Sequence, residues 1–261
     1  MVWRGICLAA ALLAGAGSSS AQSEKAPLMA PGAHPSFDVA TIKLADPASH
    51  RQGIDSNGAH VGAQGQTLKS LMMFAYGVHG QQIVGAPAWM SDDKYDIDGI
   101  ADLPGEPDLK QMQEMFRKLM VDRFGLQFHA DKREMTYFAI RVTKGGPKIG
   151  ERTSDPDPRP DQTGNGDAKG MTMKFTNNSM SDFRLGMQYF LDKPVVNETG
   201  LDGRYTFALK WVPDDMKGAV DGDGPPGLFT AIQEQLGLKL EATKGPVDVM
   251  VMDRVTRPSA N

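Results

Sequence analysis

Residues 67–84, TLKSLMMFAYGVHGQQIV, and residues 179–196, SMSDFRLGMQYFLDKPVV, are one pattern written twice. Thr67, Leu68, Leu71, Ala75, Val78, Ile83 and Val84 fall on Ser179, Met180, Phe183, Met187, Phe190, Val195 and Val196 without a gap, at a constant offset of 112 residues. The offset shortens to 110 at Tyr95/Tyr205 and Ile97/Phe207, then returns to 112 where Phe116, Met120, Phe124, Gly125, Leu126 and Ala130 meet Leu228, Ile232, Leu236, Gly237, Leu238 and Ala242. Apolar-for-apolar exchange at matched positions is what a repeated folding unit requires, because each copy must bury the same faces. The matched positions are core formers rather than reactive groups, so the repeat predicts an architecture and no reaction.

Outward from these passages, Leu68, Leu71, Met72, Ala75 and Tyr76 follow helical spacing behind Thr67 as N-cap. A second helix carries Leu109, Met112, Phe116, Leu119 and Met120 on one stripe, with Asp108 and Gln111 at capping-box spacing and Gly125 as its left-handed stop. Phe37–Ile42 reads as a first strand, and Ile83-Val84 and Lys94–Asp98 as short extended segments. Leu126–Ala130 and Met135–Val142, on either side of Asp131–Glu134, predict a closing hairpin. The second copy predicts a strand over 171–176, a helix over 179–191, a strand over 204–211, a helix over 228–236, and a hairpin of 238–242 with 247–255. The fold class expected is α+β: two tandem pseudo-symmetric copies, each with two helices packed on a mainly antiparallel sheet.

Segments outside the copies set the boundaries. Arg4, the apolar run Ile6–Ala16 and the small residues Ser18–Ala21 form a secretory signal peptide, residues 1–21, whose apolar run is too short to span a bilayer. Residues 22–35 read as a disordered lead-in, 36–144 as the first copy, 145–170 as a flexible linker and 171–261 as the second copy. Cys7, the only cysteine, lies in the signal peptide, so the mature chain holds no disulfide, thiolate metal site or cysteine nucleophile. Localisation is expected to be periplasmic or secreted, with no transmembrane helix in the mature chain. A net charge of −4 with scattered Lys and Arg argues against nucleic acid as a partner.

Reactive constellations are sparse. His34, His50, His60, His79 and His129 show no metal-binding spacing, and no metal or cofactor is predicted. Nucleophile elbows, phosphate loops and dinucleotide fingerprints are absent; Gly58–Gly65 and Gly164–Gly170 read as loops. Asp92, Asp93, Asp96 and Asp98 are dense enough to suggest a carboxylate hydrolase with a site between the copies. Yet Asp96 and Asp98 alternate with Tyr95 and Ile97, as the wet face of a strand would. No catalytic residue is assigned. Candidate ligand contacts are Asn197, Thr199 and Arg204, in the turn-rich passage KPVVNETGLDGRY (193–205), together with Trp89 and Tyr95.

That passage, extended to KPVVNETGLDGRYTFALKW, resembles a soil-associated, mainly acidobacterial family of exported proteins of unknown function. So do FTAIQEQLGLKLEATKGPVDVMVMDRVTRPSAN, FDVATIK, TLKSLMMFAYGVHGQQIVGAPAWM and KYDIDG. The resemblance runs from Phe37 to the closing Arg257–Asn261, except that Arg254 stands where the family usually has His. It implies a stand-alone exported protein, similar to a domain attached to some antibiotic-responsive membrane sensor peptidases, and it carries over no activity. The function expected is therefore a non-enzymatic binding or interaction module for an unknown envelope or extracellular ligand or protein. The alternatives are the carboxylate hydrolase and an envelope sensor or regulatory domain.

Overall fold

The computed structural model describes residues 26–150, 160–167, 169–214 and 224–258. The expected signal peptide (residues 1–21), residues 22–25 of the expected lead-in, residues 151–159 and 168 of the expected linker and the last three residues of the closing motif lie outside them.

A four-stranded antiparallel sheet, in the order β1-β5-β3-β2, is built from β1 (Phe37–Leu44), β2 (Gly53–Asn57), β3 (His60–Thr67) and β5 (Lys94–Ala101). Tyr95, Ile97 and Ala101 of β5 are buried while Asp98 is exposed and Asp96 half-buried, the alternation that one wet face demands. Helix α1 (Leu68–Tyr76) leaves β3 directly. The Thr67 side chain accepts the Ser70 N–H, and Leu68, Leu71, Met72 and Ala75 turn inward. Helix α2 (Trp89–Asp92) is a single turn, and α3 (Leu109–Phe124) is held at its start by the reciprocal Asp108–Gln111 capping box. It ends at Gly125, whose φ of 59° satisfies the left-handed cap. Phe116 and Phe124 of α3 are fully buried, each worth roughly 1.5–3 kcal/mol. Phe124 meets Tyr95 edge-on at 5.5 Å between ring centroids.

A three-stranded antiparallel sheet, β10-β8-β7, combines β7 (Asp161–Asp167), β8 (Gly170–Asn178) and β10 (Tyr205–Trp211). Helix α4 (Met180–Met187) leaves β8 behind a Ser179–Asp182 capping box, and α5 (Leu228–Leu236) ends at Gly237 with φ 64°. These elements enclose a second core around Phe175, Phe183, Trp211 and Ile232.

The remaining strands form one mixed sheet. β6 (Gln127–Val142) and β11 (Leu238–Arg254) pair antiparallel from Val142↔Leu238 to Gln127↔Arg254. Two short strands flank them by parallel pairing: β4 (Ile83–Val84) lies on β11 with Ile83↔Met250, and β9 (Val195–Asn197) lies on β6 with Val195↔Phe138. The sheet order is β4-β11-β6-β9.

This corrects several expectations. The two closing hairpins do not exist, because residues 127–142 and 238–254 each run as one strand through Asp131–Glu134 and through Thr243–Pro246 and pair with each other. Gly58–Gly65 is not a loop: it holds the turn and most of the outgoing strand of the β2–β3 hairpin. Most of Gly164–Gly170 likewise belongs to β7 and the start of β8. The described part of the lead-in is docked, with Met29 only 4% exposed and Leu28 bridged to Glu106. Helix α4 stops at Met187, shorter than the span 179–191.

Two bulges share a geometry. Gly65 (φ 58°) sits where β3 slips against β5, and its N–H donates to Asp96 Oδ1 at 2.9 Å. Asn177 (φ 56°), the one non-glycine residue at positive φ among the described residues, donates its N–H to Thr206 Oγ1 at 3.1 Å where β8 slips against β10.

Candidate functional site

A cavity of about 580 Å³ opens between the two cores. One wall is β2 (Ile54, Asp55, Ser56), Phe74 of α1, and the approach to and first turns of α3 (Glu106, Pro107, Asp108, Leu109, Met112). The facing wall is Pro160, Asp161 and Gln162, then Met173 and Thr176 of β8, with Leu185 and Gly186 of α4 and the following Tyr189 and Phe190.

Each wall is pinned from behind. Ser56 Oγ donates to Glu106 Oε1 at 3.2 Å, fastening β2 to the segment before α3, and the Asp108 carboxylate is held by its cap. Gln162 Nε2 donates to Asn178 Oδ1 at 2.7 Å and to the Asp182 carbonyl at 2.8 Å, tying β7 to the start of α4. Phe74 leans edge-on against buried Phe116, and Phe190 against Trp211 at 5.0 Å. Tyr189 is 47% exposed, yet burial of its phenol pushes the pKa up to about 12. Immediately before it, Gln188 is 1% exposed, and neither its Nε2 nor its Oε1 has a hydrogen-bond partner among the described residues.

None of the five candidate contacts lines this cleft. Asn197 and Thr199 are brought together in a local turn, where Asn197 Oδ1 accepts both the Thr199 N–H and hydroxyl and Thr199 Oγ1 accepts the Leu201 N–H. Arg204 donates to the Asn177 carbonyl at 2.9 Å and so braces the bulge. Trp89 lies under the Arg257 guanidinium at 5.1 Å, and Arg257 donates to Asp93 at 2.7 Å. Tyr95 is buried, its phenol raised by burial and by the neighbouring Asp93 carboxylate.

The acidic run does not meet in the cleft. Asp92 lines a separate hollow of about 390 Å³ beside Arg51 and Lys94, Asp93 holds Arg257, and Asp96 is engaged by Gly65. Among the described residues no three of His, Cys, Asp or Glu gather as a metal-binding group, and no helix is long and apolar enough to cross a membrane. Sequence reading missed the cleft because its walls come from six separate stretches, each of which reads as ordinary core edge or loop.

A mixed α+β molecule with an apolar cleft and a carboxylate rim defines a protein with a binding-sized cavity. Residues 69–255 match the family described as "Protein of unknown function (DUF3738)", and the chain belongs to it. No curated protein and no solved structure matches it.

Proposed function

We propose that this protein is an exported, non-enzymatic binding module that seats its ligand in the cleft between two pseudo-symmetric copies of one α+β unit. The observation that carries the reading is the cleft. Its volume of about 580 Å³ falls within the roughly 300–1,000 Å³ typical of ligand sites, and its walls mix apolar side chains such as Met112, Met173 and Leu185 with polar ones. Its carboxylates are spread along both walls, and one of them caps a helix.

The two-copy reading is supported by the parallel pairings. Ile83↔Met250 and Val195↔Phe138 are the same contact with the roles of the halves exchanged, each residue displaced by 112 from its counterpart. The paired bulges at Gly65 and Asn177 stand at the same displacement. Export is supported by Arg4, the apolar run 6–16 and Ser18–Ala21.

The test is uptake of a neutral apolar dye, N-phenyl-1-naphthylamine, by the mature chain. One saturable site is expected, lost in Leu109→Trp, which fills the cleft, while the variant keeps its melting temperature. Dye bound equally by wild type and Leu109→Trp would sink the assignment of the cleft.

A further inference from the structure

β1 and β2 stand on opposite edges of the first sheet, in the order β1-β5-β3-β2, so the connection between them, residues 45–52, must cross the ends of β5 and β3. The crossing is pinned at both ends. The Ala45 N–H donates to the Lys94 carbonyl at 2.9 Å, and the Arg51 carbonyl oxygen packs so closely on Gly65 that a Cβ there would come within 2.5 Å of it. Between the pins Asp46 holds a turn, its Oδ1 accepting the Ala48 N–H and its carbonyl the Ser49 N–H, both at 2.9 Å. This connection, with Asp92 and Lys94 at the start of β5, encloses the hollow of about 390 Å³, which shares no lining residue with the cleft. Both signs of charge line it: Arg51 and Lys94, Asp46 and Asp92. Among the described residues none of these four side chains forms an ion pair, with one another or with any other group. Leu44, at 67% the most exposed large apolar side chain among the described residues, stands on the wall with Pro47.

We propose that this hollow is a second binding site whose ligand is a free α-amino acid with an apolar side chain. Its carboxylate lies against Arg51 and Lys94, its ammonium against Asp46 and Asp92, and its side chain on Leu44 and Pro47. The proposal does not depend on the cleft. A ligand of one sign would be attracted by two of the four charges and repelled by the other two. A neutral apolar guest would displace water from all four and return no counter-charge. A zwitterion meets each charge with its opposite and leaves the hollow neutral. The Arg51 guanidinium adds a planar fork that matches a carboxylate in shape as well as sign. The volume of about 390 Å³ lies near the lower end of the roughly 300–1,000 Å³ of small-molecule sites, as a ligand of this size requires.

The experiment titrates the mature protein at neutral pH with leucine and with three molecules that each lack one part of it: isocaproate has no ammonium, isoamylamine no carboxylate and glycine no apolar side chain. Calorimetry and ligand-observed NMR read binding. Leucine should saturate one site, and each of the other three should bind about tenfold more weakly, because each leaves part of the hollow unmatched. Arg51→Gln and Asp92→Asn should each weaken leucine about tenfold while leaving the melting temperature and dye uptake by the cleft unchanged. The wild-type comparison stands even if one of these variants melts early, and Lys94→Gln then takes its place. Isocaproate, isoamylamine or glycine bound as tightly as leucine would overturn the proposal, and so would the absence of saturable leucine binding. Leucine bound equally by wild type, Arg51→Gln and Asp92→Asn but lost in Leu109→Trp would move it to the cleft, which sinks the second site and leaves the cleft standing.

Discussion

His79 and Leu191 join the two cores ring to backbone: His79 Nε2 lies 3.1 Å from the Leu191 carbonyl oxygen, while Nδ1 accepts the Gln81 N–H at 3.2 Å. Accepting that N–H requires a lone pair on Nδ1, so the proton sits on Nε2 and the ring is neutral. Gln81 continues the seam by donating to the Asp192 carbonyl at 2.8 Å. Arg184 does the same from the other side, with both terminal nitrogens on the Gly77 carbonyl at 3.2 Å.

Burial holds the His79 pKa below its ordinary 6.5; Lys69 adds to the effect, and the Leu191 carbonyl and Asp192 oppose it. Below about pH 6.5 the unfolded chain therefore binds a proton that the folded chain resists, so stability present at neutral pH is lost as the pH falls through that window. The depressed carboxylates Asp102, Glu114, Asp192 and Glu241 act the same way only at lower pH, below ordinary values of 3.8 to 4.5. Urea midpoints should drop between pH 7.5 and 5.5, and His79→Gln should flatten that drop. An unchanged slope in the variant would remove His79 from the account.

Phe124 is fully buried against Tyr95, and Leu236 is 1% exposed in the second core. Truncating either to Ala leaves a cavity and should cost about 2–5 kcal/mol, a large share of a typical 5–15 kcal/mol total. Denaturant titration checks this, and a loss below about 1 kcal/mol at either site would show that the core relaxes into the gap.

A Cβ at Gly65 would come within 2.5 Å of the Arg51 carbonyl oxygen at a positive φ, whereas one at Gly200, also at positive φ, would meet nothing within 4 Å. Gly200→Ala should therefore cost only the left-handed penalty of about 1–2 kcal/mol, and Gly65→Ala clearly more. Equal melting temperatures for the two variants would contradict this.

Gln188 holds two buried polar atoms without partners among the described residues. Replacing it with Met keeps the volume and removes the desolvation penalty, so Gln188→Met should stabilise the protein by about 1–3 kcal/mol. A destabilised variant would mean the amide is satisfied in solution.

How much of this was legible in the sequence depends on what each residue contacts. Thr67, Asp108 with Gln111, Gly125 and the span of α5 were readable because caps and helical stripes are local features. The long strands were not. Residues 129–134 of β6 are exposed on both faces, so they carry no alternation, and Asp131–Glu134 looks like a turn. Parallel seating of Ile83 on Met250 depends on a partner more than 160 residues away, which no local pattern announces. The cleft is illegible for the same reason, and the candidates Asn197, Thr199 and Arg204 were polar because they build a turn and brace a bulge.

The exchange of short strands yields the sharpest test of the architecture. Because β4 pairs with β11, β9 with β6, and β6 with β11 along their whole lengths, each half supplies strands that complete the other's sheet. Residues 26–150 alone would expose the long edge of β6 and leave β4 without a partner, and residues 160–258 would do the same for β11 and β9. Unpaired edges of that length leave backbone groups unsatisfied and invite aggregation. Each half produced by itself should thus lack a cooperative unfolding transition, and the two mixed or co-expressed should reassemble one-to-one with the melting behaviour of a chain nicked between residues 150 and 160. Circular dichroism and sedimentation of the separate and combined halves decide the matter. A half that melts cooperatively as a monomer would show that the shared sheet is dispensable, and the interlocked arrangement would lose its energetic meaning.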